Sequence, residues 1–518
     1  MASGTAVEAA APTRTNRLYP SIPAVVFAIW AVVVAFVFPQ RLLNADSDLI
    51  RHIRHGEYIL QHHALIERDP FSFTRGGDPF VAFEYGSQVI LALVHRVGGL
   101  AANMLFAAVL IATTYALLTR FLLSRNTDPL LTYLVSIVAA VLGAMHWLPR
   151  PHLFTLALVV VLLHLLEPVR RPPLWVFFPL FVLWTNLHGG FVYGLVLVGI
   201  YLAGTLAEAL ADPARREEWL GWARYYGGAL ALGCVATFVT PVGLALHRHI
   251  FWHLTESDVT GATQEFWSPD FHEGGARMFL LVVVVIIALF ARTTRRPTFP
   301  RLFLVVANLA FALLARRNIP LFAATALPML ALHFDPLWRR MPDWRGIRAV
   351  FERDARRGTA WPLVLPIALL FAALALARGR VAGMQLVPDQ MSRQDYPVEA
   401  VRWARERNIQ GRIFHEFLWG GYLVYAWPEQ RVFVDGGTDF YGWEITSDYL
   451  ETSGLAPGWR DTLRRWDITL LLMPPGAPIS QELAHDGWRV RYCDRTAVLL
   501  QRGEGPSTVP EIDRCAKR

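Results

Sequence analysis

Of 518 residues, 54% are hydrophobic and only 18% charged, and the mean hydropathy is +0.33, a balance too apolar for a soluble globular protein of this size. Lys+Arg number 49 against 42 Asp+Glu, a net charge of +7 carried almost wholly by arginine, but no basic tail or basic and aromatic stripe is present, which argues against nucleic-acid binding. The three cysteines, Cys234, Cys493 and Cys515, lie far apart without C-x-x-C spacing, which excludes a disulfide-built fold and a Cys-ligated metal site.

Residues 1–20 read as a cytoplasmic segment: Glu8 and a long polar lead do not suit a secretory signal, and Arg14 and Arg17 hold this end inside. The uncharged run 21–38 is near the minimum for a membrane-spanning helix. Further apolar runs at 99–121, 130–148, 152–168, 173–187, 190–209, 225–241, 278–291, 300–315, 319–334 and 361–377 bring the spans to about eleven. With the N-terminus inside, the inside connections carry Arg120/Arg125, Arg170/Arg171, Arg215/Arg216/Arg224, Arg292/Arg295/Arg296 and the run from Arg339 to Arg357, as the positive-inside rule asks. The spans hold almost no ionisable group at mid-depth, since His164, Glu167 and Glu208 fall near cytoplasmic ends, which argues against a transporter. The fold expected is thus a polytopic α-helical membrane domain over 21–377, with an outer loop at 39–98, and a C-terminal extracytoplasmic α/β domain over 378–518.

The outer loop opens with Asn44-Ala45-Asp46-Ser47-Asp48 and then a stretch in which Leu49, Ile53 and Leu60 oppose Arg51 and Arg54, suiting a helix in the membrane interface with Asp46 or Asp48 at its N-cap. Arginines on this outer side run against the topology trend and suit an anionic ligand such as a lipid phosphate. Other outer turns are compact and polar: Arg150-Pro151-His152, Asn186-Leu187-His188-Gly189-Gly190 and Arg316-Arg317-Asn318. The loop 241–277 adds His247, His249, His253, Gln264, Glu265, Trp267 and Asp270; only His249 and His253 share a helical face, so a zinc site is not expected.

The tail alternates strand-like runs (412–417, 431–436, 468–474, 488–493 and 496–501) with helical stretches (397–407, 462–466 and 480–486), closing on a hairpin across Asp494 and Arg495. A Cys493–Cys515 disulfide and two free thiols both remain open.

Taken together, these motifs resemble the GT-C-fold glycosyltransferases, polytopic enzymes that take sugar from a polyprenyl-phosphate or polyprenyl-diphosphate carrier on the extracytoplasmic face. The resemblance is to a poorly characterised bacterial branch with an appended extracytoplasmic domain. It rests on Asp46-Ser47-Asp48-Leu49, His52, Gly56, Asp69-Pro70-Phe71-Ser72, Glu84 ahead of Ser87-Gln88, the three polar turns above continuing through Ile319-Pro320, and the tail's Trp419-Gly420-Gly421-Tyr422 and Val434-Asp435-Gly436. Ile50-Arg51 stands where the branch often has Trp-Trp, and Tyr85 where it often has Trp; these departures touch substrate stacking and not the carboxylates.

The resemblance implies a bacterial inner-membrane enzyme using a polyprenyl-phosphate sugar donor, with a glycan, lipid or protein acceptor and no nucleic-acid partner. Such transfer has a good leaving group, so it needs a base for the acceptor hydroxyl and cations for the departing phosphate. Asp48 is the expected base, Asp46 its neighbour, and Glu84 the carboxylate that orients the acceptor; each could instead cap a helix. Arg316 and Arg317, then Arg150 and Arg51, are the expected phosphate ligands, with His52, His152, Asn186 and His188 as polar contacts. No metal site is assigned, and a divalent ion at Asp46/Asp48 stays open. A lipid-linked saccharide polymerase or ligase is the alternative enzyme, and a non-catalytic lipid-binding scaffold the alternative of another class. Trp419-Gly420-Gly421-Tyr422 and Asp435-Gly436 in the tail read as turn and strand-end positions that shape a lid or acceptor platform.

Overall fold

A computed structural model describes residues 18–255, 258, 261, 263–355 and 358–503. Every apolar run read from the sequence is helical. The helices of the first part are α1 (Ile22–Phe36), α2 (Pro39–Asn44), α3 (Asp48–His62), α4 (Tyr85–Leu123), α5 (Pro129–Gly143), α6 (His152–Leu166), α7 (Phe177–Leu187) and α8 (Phe191–Ala211). They continue with α9 (Arg216–Ala236), α10 (Leu244–Thr255), α11 (Gly274–Phe290), α12 (Phe299–Leu314), α13 (Ile319–Trp338), α14 (Ile347–Ala355) and α15 (Trp361–Leu376). Among the described residues, four stretches are long and apolar enough to cross a membrane: Tyr85–Leu123, Pro129–His146, Phe191–Ala211 and Arg316–Trp338; the other apolar helices have 10–17 residues.

Packing joins α1 to α4, α4 to α6, α8 to α9 and α12, and α13 to α5 and α12. The carboxylates at the helix ends remote from Asp48 are each met by arginine: Glu167 by Arg301 at 2.7 Å and Glu208 by Arg296 at 3.0 Å. A charge at that depth is tolerated because its partner is fixed beside it. α4 is two helices joined at Gly98 and Gly99, where Gly99 has a left-handed φ of 66°. The carboxylate of Asp389 accepts the Ala101 N–H at 3.2 Å, so a residue of the tail caps the second half. This break coincides with the start of the apolar run at 99.

The outer loop differs from its expectation. α3 does not lie against headgroups with one open face: Leu49, Ile50 and Ile53 are buried, and the helix packs between α4 and the tail. Gly56 permits the approach, since a Cβ there would stand 2.0 Å from the Gln88 carbonyl oxygen. Ser47 is the N-cap residue and makes no side-chain cap bond; instead Asp46 Oδ1 accepts the Asp48 N–H at 2.8 Å, and the Ser47 hydroxyl donates to the Leu418 carbonyl at 2.6 Å.

In the tail, β1 (Arg380–Val381) and β2 (Met384–Gln385) form a small hairpin. β3 (Ile413–His415), β4 (Leu470–Met473), β5 (Arg489–Cys493) and β6 (Val498–Gln501) form a sheet in the order β3-β4-β6-β5, parallel only between β3 and β4. Ile413, Leu470, Leu472 and Leu499 pack to one face, and Phe414, Leu471, Val498 and Leu500 to the other, the period-2 burial of a sheet covered on both sides. Its helices are α16 (Val398–Glu406), α17 (Gly420–Ala426), α18 (Thr438–Ser453), α19 (Trp459–Arg465) and α20 (Pro478–His485). The β5–β6 turn crosses Asp494 and Arg495, where Asp494 Oδ1 accepts the N–H groups of Thr496 and Ala497, each at 2.8 Å. The run 431–436, expected as a strand, is not one. Its backbone pairs outside the sheet, through a single parallel bridge between Val432 and Ser72 with flanking bonds to Phe71 and Phe73 of 3.1 Å, and so stitches the outer loop to the tail. Cys234 is free and exposed, and Cys515 lies outside the described residues.

Candidate active site

Asp46 precedes α3, Asp48 opens it, and Arg150 stands in the turn before α6, so local structure places all three at one end of the bundle. Arg150 is the hub. Its Nη2 lies 2.7 Å from Asp46 Oδ2, its Nε 3.2 Å from Asp48 Oδ2, and its Nη1 3.0 Å from Glu265 Oε1. On the other side of Asp48, Oδ1 meets Arg51 Nε at 3.3 Å, and Arg51 Nε is 4.0 Å from Asp435 Oδ1 in the tail. Charges so withdrawn from water persist because each is paired.

The two neighbouring aspartates separate in acidity. Burial disfavours ionisation of Asp48, but the guanidinium groups of Arg150 and Arg51 outweigh it and hold the carboxyl well below the usual range. Burial lifts Asp46 above its ordinary value, with Arg150 opposing. This splitting is expected of close carboxylates with unequal partners. Gly436 lies against Asp48: a Cβ there would stand 2.1 Å from Asp48 Oδ1.

Glu84, at the start of α4, makes no side-chain cap bond. Its oxygens face His52 Nε2 at 3.7 Å and His188 Nε2 at 3.5 Å. His188 Nδ1 accepts the Gly190 N–H at 3.0 Å and lies 2.8 Å from Thr155 Oγ1, so the proton of the neutral ring is on Nε2 and points at Glu84. His52 Nδ1 sits 3.3 Å from Gln88 Nε2, an amide donor that orients its ring the same way. Burial keeps both histidines neutral and pushes the Glu84 carboxyl up to about 8, with Arg51 opposing.

Beside this cluster lies a cavity of about 380 Å³, bounded by the outer loop, α10 and the tail; Arg51, Glu84, Asp435 and Asp439 line it. Burial raises Asp435 to about 6. Asp439 is half-buried, and although that burial raises it, the bond from His249 Nε2 at 3.0 Å and the charges beside it bring it below its ordinary value.

Not every residue singled out in the sequence converges here. Arg317 stacks its guanidinium over Phe266 at 4.5 Å and lies near enough to Glu265, Arg150 and Glu84 to feel their charges; among the described residues no carboxylate comes within 4.0 Å of it. Arg316 turns to Glu273 at 3.7 Å and is more exposed. His152 sits against the His146 carbonyl at 3.0 Å, and Asn186 ties Tyr85, Val182 and Val239 together at 2.6, 2.7 and 2.9 Å, so these two brace the helices. Glu265 was noted in the sequence without a role; Asp435 was read as a turn, and Asp439 carried no signal at all. Among the described residues no group of three or more His, Cys, Asp or Glu side chains is arranged to hold a metal ion.

No protein-family model and no curated protein matches the chain in sequence. Solved structures match its fold. The archaeal oligosaccharyltransferase AglB of Archaeoglobus fulgidus, in complex with an inhibitory peptide and a dolichol-phosphate, superposes with a TM-score of 0.52 at 13% identity, covering 88% of this chain and 69% of that one. The apo oligosaccharyltransferase of the same organism gives 0.51, with the same identity and coverage. The form tethered to an acceptor peptide containing the NVT sequon gives 0.52 at 13% identity, over 93% of this chain and 74% of that one. The chain therefore has the GT-C-type fold of these enzymes, as the sequence motifs implied.

Proposed function

We propose that the protein is a membrane-embedded glycosyltransferase that moves a sugar from a polyprenyl-phosphate-linked donor to an acceptor on the extracytoplasmic side of a bacterial inner membrane. The observation that carries this reading is the gathering of Asp46, Asp48, Arg51, Glu84, Arg150 and His188 from four separate stretches of chain into one polar cluster, beside a cavity that Arg51 and Glu84 line. Eleven spans, with the N-terminus inside, put that end of the bundle outside.

In the resting arrangement Arg150 is shared by three carboxylates. A donor phosphate, with more charge and more acceptor oxygens than any one of them, competes for the same guanidinium, and Arg317 supplies a second cation. Withdrawal of Arg150 toward phosphate frees Asp48 Oδ2 and raises its basicity. The acceptor hydroxyl oxygen then bonds to the anomeric carbon as the bond from that carbon to the phosphate oxygen breaks. The electron pair leaves on the phosphate, and the hydroxyl proton passes to Asp48. Glu84, steadied by His52 and His188, orients the acceptor.

The likeness to oligosaccharyltransferases favours a second reading, transfer of a preassembled lipid-linked saccharide. Purified full-length protein in lipid nanodiscs, given radiolabelled polyprenyl-monophosphate monosaccharides and polyprenyl-diphosphate oligosaccharides, separates the two. Release of lipid phosphate from the first alone supports monosaccharide transfer, release of lipid diphosphate from the second supports the alternative, and release from neither in the presence of acceptor extracts rejects both.

A further inference from the structure

The proposed reaction leaves the chemical class of the acceptor open, and the cavity beside Arg51 bears on it. At about 380 Å³ it lies at the low end of the roughly 300–1,000 Å³ typical of ligand pockets, the scale of a few small rings and not of a folded chain. Its walls alternate flat aromatic faces with ionic edges. Phe440 meets Phe80 edge to face at 5.1 Å, and Trp252, 36% exposed, forms another wall. Glu84, Asp435, Asp439 and Arg51 supply the polar edges.

Two lining residues also carry unmet hydrogen-bonding capacity. Among the described residues, neither ring nitrogen of buried His55 has a partner, and neither does Gln88 Oε1. Buried polar atoms ordinarily find partners, and a neutral imidazole needs one donor and one acceptor. A hydroxyl is both.

We propose that this cavity is the acceptor site and that its ligand is a saccharide; this rests on the transferase reading above. A pyranose has C–H faces that lie on aromatic rings and a rim of hydroxyls that donate to carboxylates and accept from guanidinium. An extended peptide would call for a free strand edge or backbone-matching groove, and a lipid acceptor for a wall without charges. The placement also fits the chemistry. Asp48 stands between Arg150 on the donor side and Arg51 on the cavity wall, so a hydroxyl at the Arg51 edge of the cavity is the one presented to Asp48.

The test is binding to the full-length protein in nanodiscs without donor, read by saturation-transfer NMR. The probes are the methyl glycosides of glucose, mannose, galactose and N-acetylglucosamine, with an Asn- and Ser-containing hexapeptide as the contrasting ligand. At least one glycoside is expected to receive saturation on its ring C–H protons, and Trp252→Ala and Asp439→Asn are each expected to weaken its binding by about tenfold, the scale of one lost aromatic or charged contact. Both variants must keep the wild-type unfolding midpoint; if either does not, Trp252→Phe, which keeps an aromatic face, is expected to restore binding. Failure of every glycoside, glycoside binding that neither variant weakens, or binding of the hexapeptide alone overturns the proposal. The readout needs no turnover, so a chain that binds glycoside in this cavity but consumes no lipid-linked donor refutes the transferase reading and leaves a saccharide site standing.

Discussion

Replacing Arg150 by Met removes the cation shared by Asp46, Asp48 and Glu265, all within 3.2 Å of it and all with side chains at most 24% exposed. Breaking a buried ion pair by deleting one partner costs about 3–5 kcal/mol, because the remaining charge is left uncompensated; three carboxylates are left here, so the upper part of that range is expected. The loss should be concentrated at neutral pH. In the wild type, the pKa of Asp48 is held, against burial, well below its ordinary value by Arg150 and Arg51, so its stabilising contribution is complete above the unfolded value of about 3.9 and is lost only as pH falls through the lower folded value. In Arg150→Met that contribution shrinks, because of the two guanidinium groups that favour the ionised form Arg51 alone remains. Equilibrium unfolding in mixed micelles, followed by tryptophan fluorescence, measures the change, and Arg150→Met combined with Asp46→Asn should recover part of it, with a coupling of about 0.5–3 kcal/mol. A single variant within about 0.5 kcal/mol of the wild type, the range of an ordinary surface substitution, would show that Arg150 does not neutralise this cluster.

Gly436→Ala puts a methyl 2.1 Å from Asp48 Oδ1 and should lower kcat at least tenfold, with a stability loss of about 1–3 kcal/mol in the same unfolding assay because the ion-paired carboxylate must shift; unchanged turnover would separate the tail from the site. Gly56→Ala drives a Cβ into the Gln88 carbonyl at 2.0 Å and should cost about 1–3 kcal/mol of stability by the same unfolding assay. Glu84, raised to about 8 by burial, holds its proton longer in the folded than in the unfolded state, so its contribution is present below about pH 4.3 and is lost as pH rises toward 8, at about 1.4 kcal/mol per pH unit; Glu84→Gln should remove that slope. Arg317→Ala should weaken donor binding about tenfold, the worth of one charge-assisted contact, and equal affinities in a lipid-phosphate binding assay would remove Arg317 from the donor site.

The positions of the apolar helices were legible because a long run without charges has few alternatives to a helix, and the break at Gly98-Gly99 marked the edge of one such run. Asp46, Asp48, Glu84, Arg150 and His188 were legible as polar residues at the ends of apolar segments, where topology assigns them to one side. Their partners were not. Asp435 and Asp439 enter the site because Val432 and Phe433 pair with residues 71–74 of the outer loop, a contact more than 350 residues apart in sequence that local patterning does not encode. The same pairing explains the failed strand at 431–436, whose composition suits a strand and whose backbone found another partner. α3 looked amphipathic and was expected at the membrane surface; periodicity reports that a helix buries one face, not what covers it. His152 and Asn186 share their turns with site residues yet brace helices, a distinction of side-chain direction that a motif does not carry.

Asp48→Asn, assayed for transfer in nanodiscs with labelled polyprenyl-phosphate sugar and for donor binding in the same preparation, tests the proposed chemistry most directly. Asparagine keeps the size and much of the hydrogen bonding of the side chain and removes the proton acceptor. The expected result is a fall in kcat of at least about 10²–10³-fold, the scale of losing a positioned base, with donor affinity within a few-fold of wild type. Transfer at the wild-type rate with Asp48→Asn would contradict the assignment of Asp48 as the base and, with it, the reading of the Arg150 cluster as a site that donor phosphate opens.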